Sequence, residues 1–308
     1  MNFREEIEPF YPVVDGRPLR LGMGCATLGN RSDAASLLQY QATLDAAYEQ
    51  GLRYYDTSVM YGGSEFRVGE FLRRVPRETV FVATKSTVLS SLTPAEARRM
   101  VRERLHNSLE RLGVEQIDLF QIHDVDSLDQ VLPDEGILPY LTQARQEGLI
   151  RFFGLATRYH DLLRTAVLHG AFDSILTYLD CTPLDQSAAP LIAEAARANV
   201  GVINGSPLAF GLLTGNDPRT NSSISHEFRR YIALASDLYD FAAARNVSVL
   251  ALALQYPLLH PSISMTLTGP ATPEELKASL AACRSSLPET FWQELHAELG
   301  VRLPEQGA

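Results

Sequence analysis

The chain has 308 residues, 45% hydrophobic and 21% charged, enough for a sizeable core in one large domain or two ordinary ones. A net charge of -10 and an isoelectric point near 5.2 argue against nucleic acid and against an anionic membrane surface as partners. Residues 1–12 have an acidic cluster and no apolar core of a secretory leader, no run approaches the ~18 apolar residues of a membrane span, and the few scattered cysteines (Cys25, Cys181, Cys283) suit a reducing cytoplasm better than a disulfide framework or a zinc site.

Residues 1–18 read as an irregular lead-in with a hairpin turning at Asp15-Gly16. A first short strand is expected over 19–23, followed by a Gly-rich turn over 24–30. Asp33 caps a helix that carries Ala34, Leu37, Leu38, Ala42, Leu44 and Ala46 and ends near Gly51. Strand two covers 52–55, a helix 64–74 and strand three 80–84, which stops at Lys85. Thr93-Pro94-Ala95-Glu96 has the form of a capping box opening a helix that runs through Leu112-Gly113. Strand four, 117–122, ends in His123, and a helix follows over 136–147.

The second half repeats this rhythm. Strand five (150–155) precedes a helix over 160–169, and strand six (174–178) precedes an amphipathic helix over 187–198. After strand seven (200–204) comes a polar loop over 215–225, a candidate lid, then helices over 231–244 and 248–258. Strand eight covers 264–267, a helix opens at Thr272-Pro273-Glu274, and a last helix lies over 291–299. Eight strand–helix units without a linker mean a parallel sheet, doubly wound or closed. The first strand-to-helix turn lacks the G-x-G-x-x-G pattern of the doubly wound dinucleotide fold. Polar residues gather after strands two, three and four, as at the C-terminal face of a barrel. The expectation is α/β: a single domain over 1–308, folded as a (β/α)8 TIM barrel.

The chemistry centres on Tyr54-Tyr55-Asp56-Thr57-Ser58-Val59-Met60-Tyr61-Gly62, a strand-like run followed by a carboxylate and then a phenol. Lysine occurs only at positions 85 and 277 in a chain that otherwise uses arginine. Position 85 therefore calls for a compact ammonium with an adjustable pKa. A phenol titrates near ~10, and a neighbouring ammonium lowers that value by favouring the phenolate. Asp56 would hold Lys85 charged and oriented, and His123 would hydrogen-bond a substrate oxygen beside Tyr61. Tyr61 then serves as acid for carbonyl reduction or base for alcohol oxidation. None of these groups is a hydride source, so a nicotinamide cofactor must supply or accept it. Singly, Tyr61 reads as a packing residue, Asp56 as a cap and His123 as a turn residue; in register at three successive strand ends they read as a site.

The chain resembles the aldo-keto reductase family in Gly51-Leu52-Arg53-Tyr54-Tyr55-Asp56-Thr57-Ser58, Tyr61-Gly62, Ser64-Glu65 with Gly69, Thr84-Lys85, Gln121-Ile122-His123, Gly154-Leu155 and Ser206-Pro207-Leu208. The resemblance runs from Leu19 to about Ala282 and implies a (β/α)8 barrel with NAD(P)(H) extended across its C-terminal face. It implies a catalytic tetrad at Asp56, Tyr61, Lys85 and His123. It also implies cofactor contacts at Cys25, Thr157, Tyr178, Ser206, Leu208, Gly269, Glu275 and Ser279, and no metal. Within the family, Gly22-Met23-Gly24-Cys25-Ala26-Thr27-Leu28-Gly29 and Ile175-Leu176-Thr177-Tyr178 are most similar to the sugar-oxidising branch of L-galactose, aldose and pyridoxal dehydrogenases.

The family often presents Ser-Asn after strand five and Gln after strand six to the carboxamide, where this chain has Ala156-Thr157 and Tyr178. The family's nicotinamide-stacking aromatic falls on Gly205, which leaves Tyr178 to stack instead. Glu275 stands where an arginine is common, and a carboxylate there repels a 2'-phosphate, which favours NAD over NADP. Lys277 and a helix N-terminus at Thr272-Pro273 act in the other direction by welcoming a phosphate. The lead expectation is an NAD-dependent dehydrogenase of a sugar, polyol or similar small molecule, in the cytoplasm. The alternatives are an NADPH-dependent aldehyde or ketone reductase, a redox-neutral enzyme using Tyr61 as base, and a regulatory barrel. The substrate pocket is expected to include Cys25, Tyr178, Phe210 and the tail, with Phe291, Trp292 and Leu295 either lining it or packing on the barrel.

Overall fold

The computed structural model describes residues 2–220, 226–284 and 287–304. Its eight parallel strands are β1 (Leu21–Gly24), β2 (Tyr54–Asp56), β3 (Phe81–Thr87), β4 (Ile117–His123), β5 (Ile150–Ala156), β6 (Ser174–Tyr178), β7 (Gly201–Gly205) and β8 (Met265–Thr268). Each pairs with the next, and β8 pairs with β1 through Thr266 opposite Leu21 and Thr268 opposite Met23, so the sheet closes. The fold is the (β/α)8 barrel.

The helices that follow the N-terminal segment are α1 (Ala34–Glu49), α2 (Ser64–Leu72), α3 (Pro94–Leu112), α4 (Ile137–Gln146), α5 (His160–His169), α6 (Ala189–Arg197), α7 (Ile232–Ala244), α8 (Val249–Leu258), α9 (Pro273–Arg284) and α10 (Glu289–Leu299). The expected capping box is present: Thr93 and Glu96 satisfy each other's backbone amides, and Gly113, at φ +68°, ends α3. Asp33 caps α1 by accepting from the Ser36 amide. The face of α1 differs from the expected one, because Tyr40, Thr43, Leu44 and Ala47 turn inward while Leu38 is 74% exposed. Among the described residues no helix is long and apolar enough to cross a membrane.

Strand period explains where the site sits. Alternate residues share a face, so Tyr54 and Asp56 point inward together, as do Phe81, Ala83 and Lys85, and Leu119, Gln121 and His123. The lower members of these sets are apolar and pack with Phe152, Leu176, Ile203 and Met265 in one buried cluster. The upper members are polar and lie at the C-terminal end. The barrel is thus filled by apolar side chains below and chemistry above.

The N-terminal segment is more ordered than an irregular lead-in. It contains a helix, Phe3–Ile7, before the expected hairpin of Val13–Val14 with Arg17–Pro18. Phe3 and Ile7 insert into the barrel's lower cluster, with the Phe3 ring 5.3 Å from Phe152 and 6.0 Å from Phe81. Gly201 makes this possible, since a Cβ there would lie 2.2 Å from the Phe3 ring. Phe10 and Tyr11 pack against the same cluster from its edge, and these four residues at positions 3, 7, 10 and 11 are too few to give a clear periodic signal.

Of the two readings left open for the last helix, the structure shows packing on the barrel. Phe291, Trp292 and Leu295 do not line the cleft at the top of the barrel; they are buried on α10, with Phe291 5.3 Å from Phe241 of α7 and Trp292 6.4 Å from Tyr256 of α8. The candidate lid shows a 3-10 turn at Pro218–Thr220, while its residues 221–225 lie outside the described residues.

Candidate active site

Lys85 sits at the floor of the site, 1% exposed, two residues before the end of β3 rather than at it. Its ammonium has three acceptors, matching its three protons: the Asp56 Oδ1, the Thr57 carbonyl at 3.0 Å and the Tyr61 hydroxyl at 3.4 Å. The other Asp56 oxygen accepts from Gln121 Nε2 at 3.3 Å. Burial alone would drive Lys85 towards the neutral amine, but Asp56 and Tyr61 outweigh it and raise its pKa, so the ammonium is the form held.

Tyr61 is brought over Lys85 by the turn after β2. The turn docks against the loop after β1, where Gly29 is in contact so close that a Cβ would lie 1.6 Å from the Tyr61 carbonyl oxygen. Gly62 completes the turn at φ +54°. A relay of hydroxyls, Thr57 to Ser64 at 2.8 Å and Ser64 to the Cys25 carbonyl at 2.7 Å, ties the loop after β1, the end of β2 and the start of α2 together. Glu65 anchors α2 from beneath, accepting from Thr84 and Arg111, both at 2.6 Å.

The electrostatics of Tyr61 differ from the sequence expectation. Burial raises its pKa, and the opposing pull of Lys85 does not overcome this. A sequence displays the ammonium but not the depth of the phenol. The protonated phenol is therefore the resting form, a proton donor with its conjugate base already facing a cation.

His123 is neutral: burial, with Lys85 adding to it, drives its pKa down to about 3. Its ring stands edge-on to Tyr61 with centroids 5.8 Å apart. Nδ1 lies 3.1 Å from the Ser58 hydroxyl, and Nε2 lies 3.4 Å from a carboxylate oxygen of Asp124. The carboxylate facing Nε2 favours the proton there, which leaves Nδ1 to accept from Ser58 in place of the Lys85 carbonyl that the same hydroxyl reaches at 3.3 Å. Replacing Ser58 with Ala should lower kcat/KM roughly tenfold, the worth of one buried hydrogen bond. Ring-nitrogen NMR of His123 should show loss of the single tautomer. An unchanged spectrum would mean that another group fixes the ring.

These groups open into a cleft of about 830 Å³. Its lining includes Asp56, Tyr61, His123, Tyr178, Gly205, Ser206, Leu208, Phe210 and Gly269, all singled out from sequence, together with Asp124. Other expected contacts lie elsewhere. Cys25 is fully buried with its thiol 3.6 Å from the Met23 carbonyl, and Thr157 is buried with its hydroxyl 3.2 Å from the Val125 carbonyl. Ser279 is buried on α9 and donates to the Glu275 carbonyl at 2.9 Å. Glu275 is exposed, outside the cleft lining, and its carboxylate accepts from the Ala271 amide at 2.7 Å. Ser58, Gln121 and Asp124 received no role from sequence, although two of them stand within the quoted motifs and Asp124 follows His123 directly.

The wall from Gly205 to Gly211 has unusual backbone. Ser206, Ala209 and Phe210 adopt φ of +52°, +48° and +52°, strain of a kind that clusters at functional sites. At Gly205 an added Cβ would come within 3.1 Å of the Tyr178 Cβ, so any side chain there would press on Tyr178.

Comparison with known proteins bears on the family and the fold. A sequence model of the aldo/keto reductase family matches residues 20–298. The chain is 31% identical to a D-threo-aldose 1-dehydrogenase from Pseudomonas sp, over 89% of this chain and 92% of that protein. It is 32% identical to an L-galactose dehydrogenase from Arabidopsis thaliana, over 85% of this chain and 83% of that protein. Its fold matches that of an aldo-keto reductase from Bacillus halodurans in its holo form, with a TM-score of 0.76 and 22% identity, over 96% of this chain and 97% of the other.

Proposed function

Because the chain belongs to the aldo/keto reductase family and is an oxidoreductase of hydroxyl or carbonyl groups, we propose that it oxidises a sugar or polyol with NAD, using Tyr61 as the proton-transfer group. The observation that carries this reading is the Lys85 ammonium shared between Asp56, the Thr57 carbonyl and the Tyr61 hydroxyl at the floor of an open cleft.

The residues present fit a nicotinamide nucleotide. The cleft is roomy, Gly205 and Gly269 leave its wall free of projecting side chains, and Tyr178 supplies the aromatic surface that Gly205 lacks. Ser206, Leu208 and Gly269 would hold the nicotinamide half, and α9 with Glu275 would lie towards the adenosine. When bound, the nicotinamide accepts or supplies the hydride. The protein's own residues do the rest. His123 donates from Nε2 to the reacting oxygen and fixes it beside Tyr61. Tyr61 takes the hydroxyl proton in oxidation or gives it in reduction, and Lys85, held by Asp56, stabilises the phenolate.

The substrate class follows the D-threo-aldose and L-galactose dehydrogenases among the relatives. Formation of reduced cofactor on adding aldoses to protein and NAD tests it, and failure with every aldose and polyol would refute the sugar reading. The raised pKa of Tyr61 supports a second reading, carbonyl reduction, because the resting phenol is already the acid that direction needs.

Cofactor choice is tested at Glu275. A carboxylate on an exposed helix start repels a further phosphate, so Glu275→Arg should raise affinity for NADP relative to NAD by roughly tenfold, the weight of one favourable charge replacing an unfavourable one. Equal affinity ratios before and after, measured by fluorescence titration, would refute that role.

A further inference from the structure

We propose that Asp124 is a substrate-binding residue that selects neutral compounds with a hydroxyl on the carbon next to the reacting one, as in an α-hydroxy aldehyde or a sugar. The proposal rests on the oxidoreductase reading above and names the substrate class of that same site.

Asp124 follows the last residue of β4, and its backbone turns there with φ +47°, uncommon for a residue with a Cβ. Its amide donates to the Ala156 carbonyl at 2.8 Å, which pins the turn to the neighbouring strand. The side chain stands over the tetrad. One carboxylate oxygen accepts from the Tyr178 hydroxyl at 3.2 Å, and the other lies 3.4 Å from His123 Nε2. The donor that must reach the reacting oxygen already faces a carboxylate. The Asp124 side chain is 47% exposed, so water serves its free oxygen until a substrate that takes the His123 donor displaces that water with its adjoining carbon. A hydroxyl on that carbon takes the water's place as donor, and a methylene does not.

Charge restricts the class further. Asp56 is paired directly with Lys85, whereas Asp124 touches a phenol and a neutral imidazole and feels Lys85 only through space. No lysine or arginine is among the described residues that line the cleft. Arg158, which attracts Asp124, is exposed and outside that lining. A carboxylate or phosphate on the substrate would meet a carboxylate that is attracted by Lys85 and Arg158 but, among the described residues, held in an ion pair by neither.

The test compares kcat/KM for glyceraldehyde with that for propanal, its counterpart without hydroxyls, in the reducing direction. Asp124→Gly takes the same left-handed backbone freely and has no acceptor. It should lower the glyceraldehyde-to-propanal ratio about tenfold to a hundredfold, as expected for losing a hydrogen bond to a charged group. Asp124→Asn, which retains one acceptor, should give a smaller fall. An unchanged ratio in both variants would overturn the proposal and reduce Asp124 to a turn residue. Tyr61→Phe should depress both substrates and keep the ratio, so loss of chemistry is distinguishable from loss of selection. A wild-type protein that turns over neither aldehyde with any nicotinamide nucleotide would overturn the oxidoreductase reading and this proposal with it.

Discussion

Tyr61→Phe is expected to cut turnover by about 10²–10⁴-fold, the usual contribution of a positioned acid or base, while leaving nicotinamide nucleotide affinity intact. The substitution removes one oxygen. That oxygen is the only atom of the side chain that can exchange a proton with substrate, and it accepts from Lys85 at 3.4 Å. The phenyl ring keeps its place above the ammonium, whose nitrogen lies 4.8 Å from the ring centroid, and its edge contact with His123. Binding and turnover should therefore separate cleanly. Stopped-flow turnover with parallel cofactor titration makes the check, and a Tyr61→Phe variant that turns over at the wild-type rate would remove Tyr61 from the mechanism.

The second large effect is on stability. Asp56 and Lys85 are 3% and 1% exposed at their side chains and are each other's charge partner. Removing one member of a buried pair leaves the other uncompensated, so Asp56→Ala should lower the unfolding free energy by about 3–5 kcal/mol. Replacing both, as Asp56→Leu with Lys85→Met, fills similar volume without charge and should recover most of that loss. The double variant should nevertheless be inactive, because no ammonium then faces Tyr61. Urea unfolding midpoints and turnover on the three proteins test both halves. If the double variant is no more stable than Asp56→Ala, then Gln121 and the Thr57 carbonyl, not the charge, decide the energetics at this position.

The sequence made the barrel legible because each strand is short, apolar and followed by helical periodicity, and because Asp56, Lys85 and His123 interrupt that apolarity in register. Period-two alternation alone places all three inside and at one end. What stayed hidden depends on distance across the chain. The Phe3–Ile7 helix fills the barrel floor through Gly201, and nothing local to residue 3 announces it. The depth of Tyr61 reverses the direction of its pKa relative to what a nearby lysine suggests. Asp124 reads as an ordinary turn residue until its left-handed backbone brings it to Tyr178 and His123. Among the expected cofactor contacts, Tyr178, Ser206, Leu208 and Gly269 line the cleft, whereas Cys25, Thr157 and Ser279 are buried away from it, a distinction that depends on which way each side chain turns at the end of its element.

The central claim is that hydride moves between substrate carbon and nicotinamide while Tyr61 handles only the proton. The most direct test is to follow the label from an aldose deuterated at the anomeric carbon, incubated with the protein and NAD. The account predicts deuterium on the reduced nicotinamide ring in step with the sugar consumed. Deuterium released to solvent, with the cofactor still oxidised, would contradict it and make Tyr61 a base in a redox-neutral reaction.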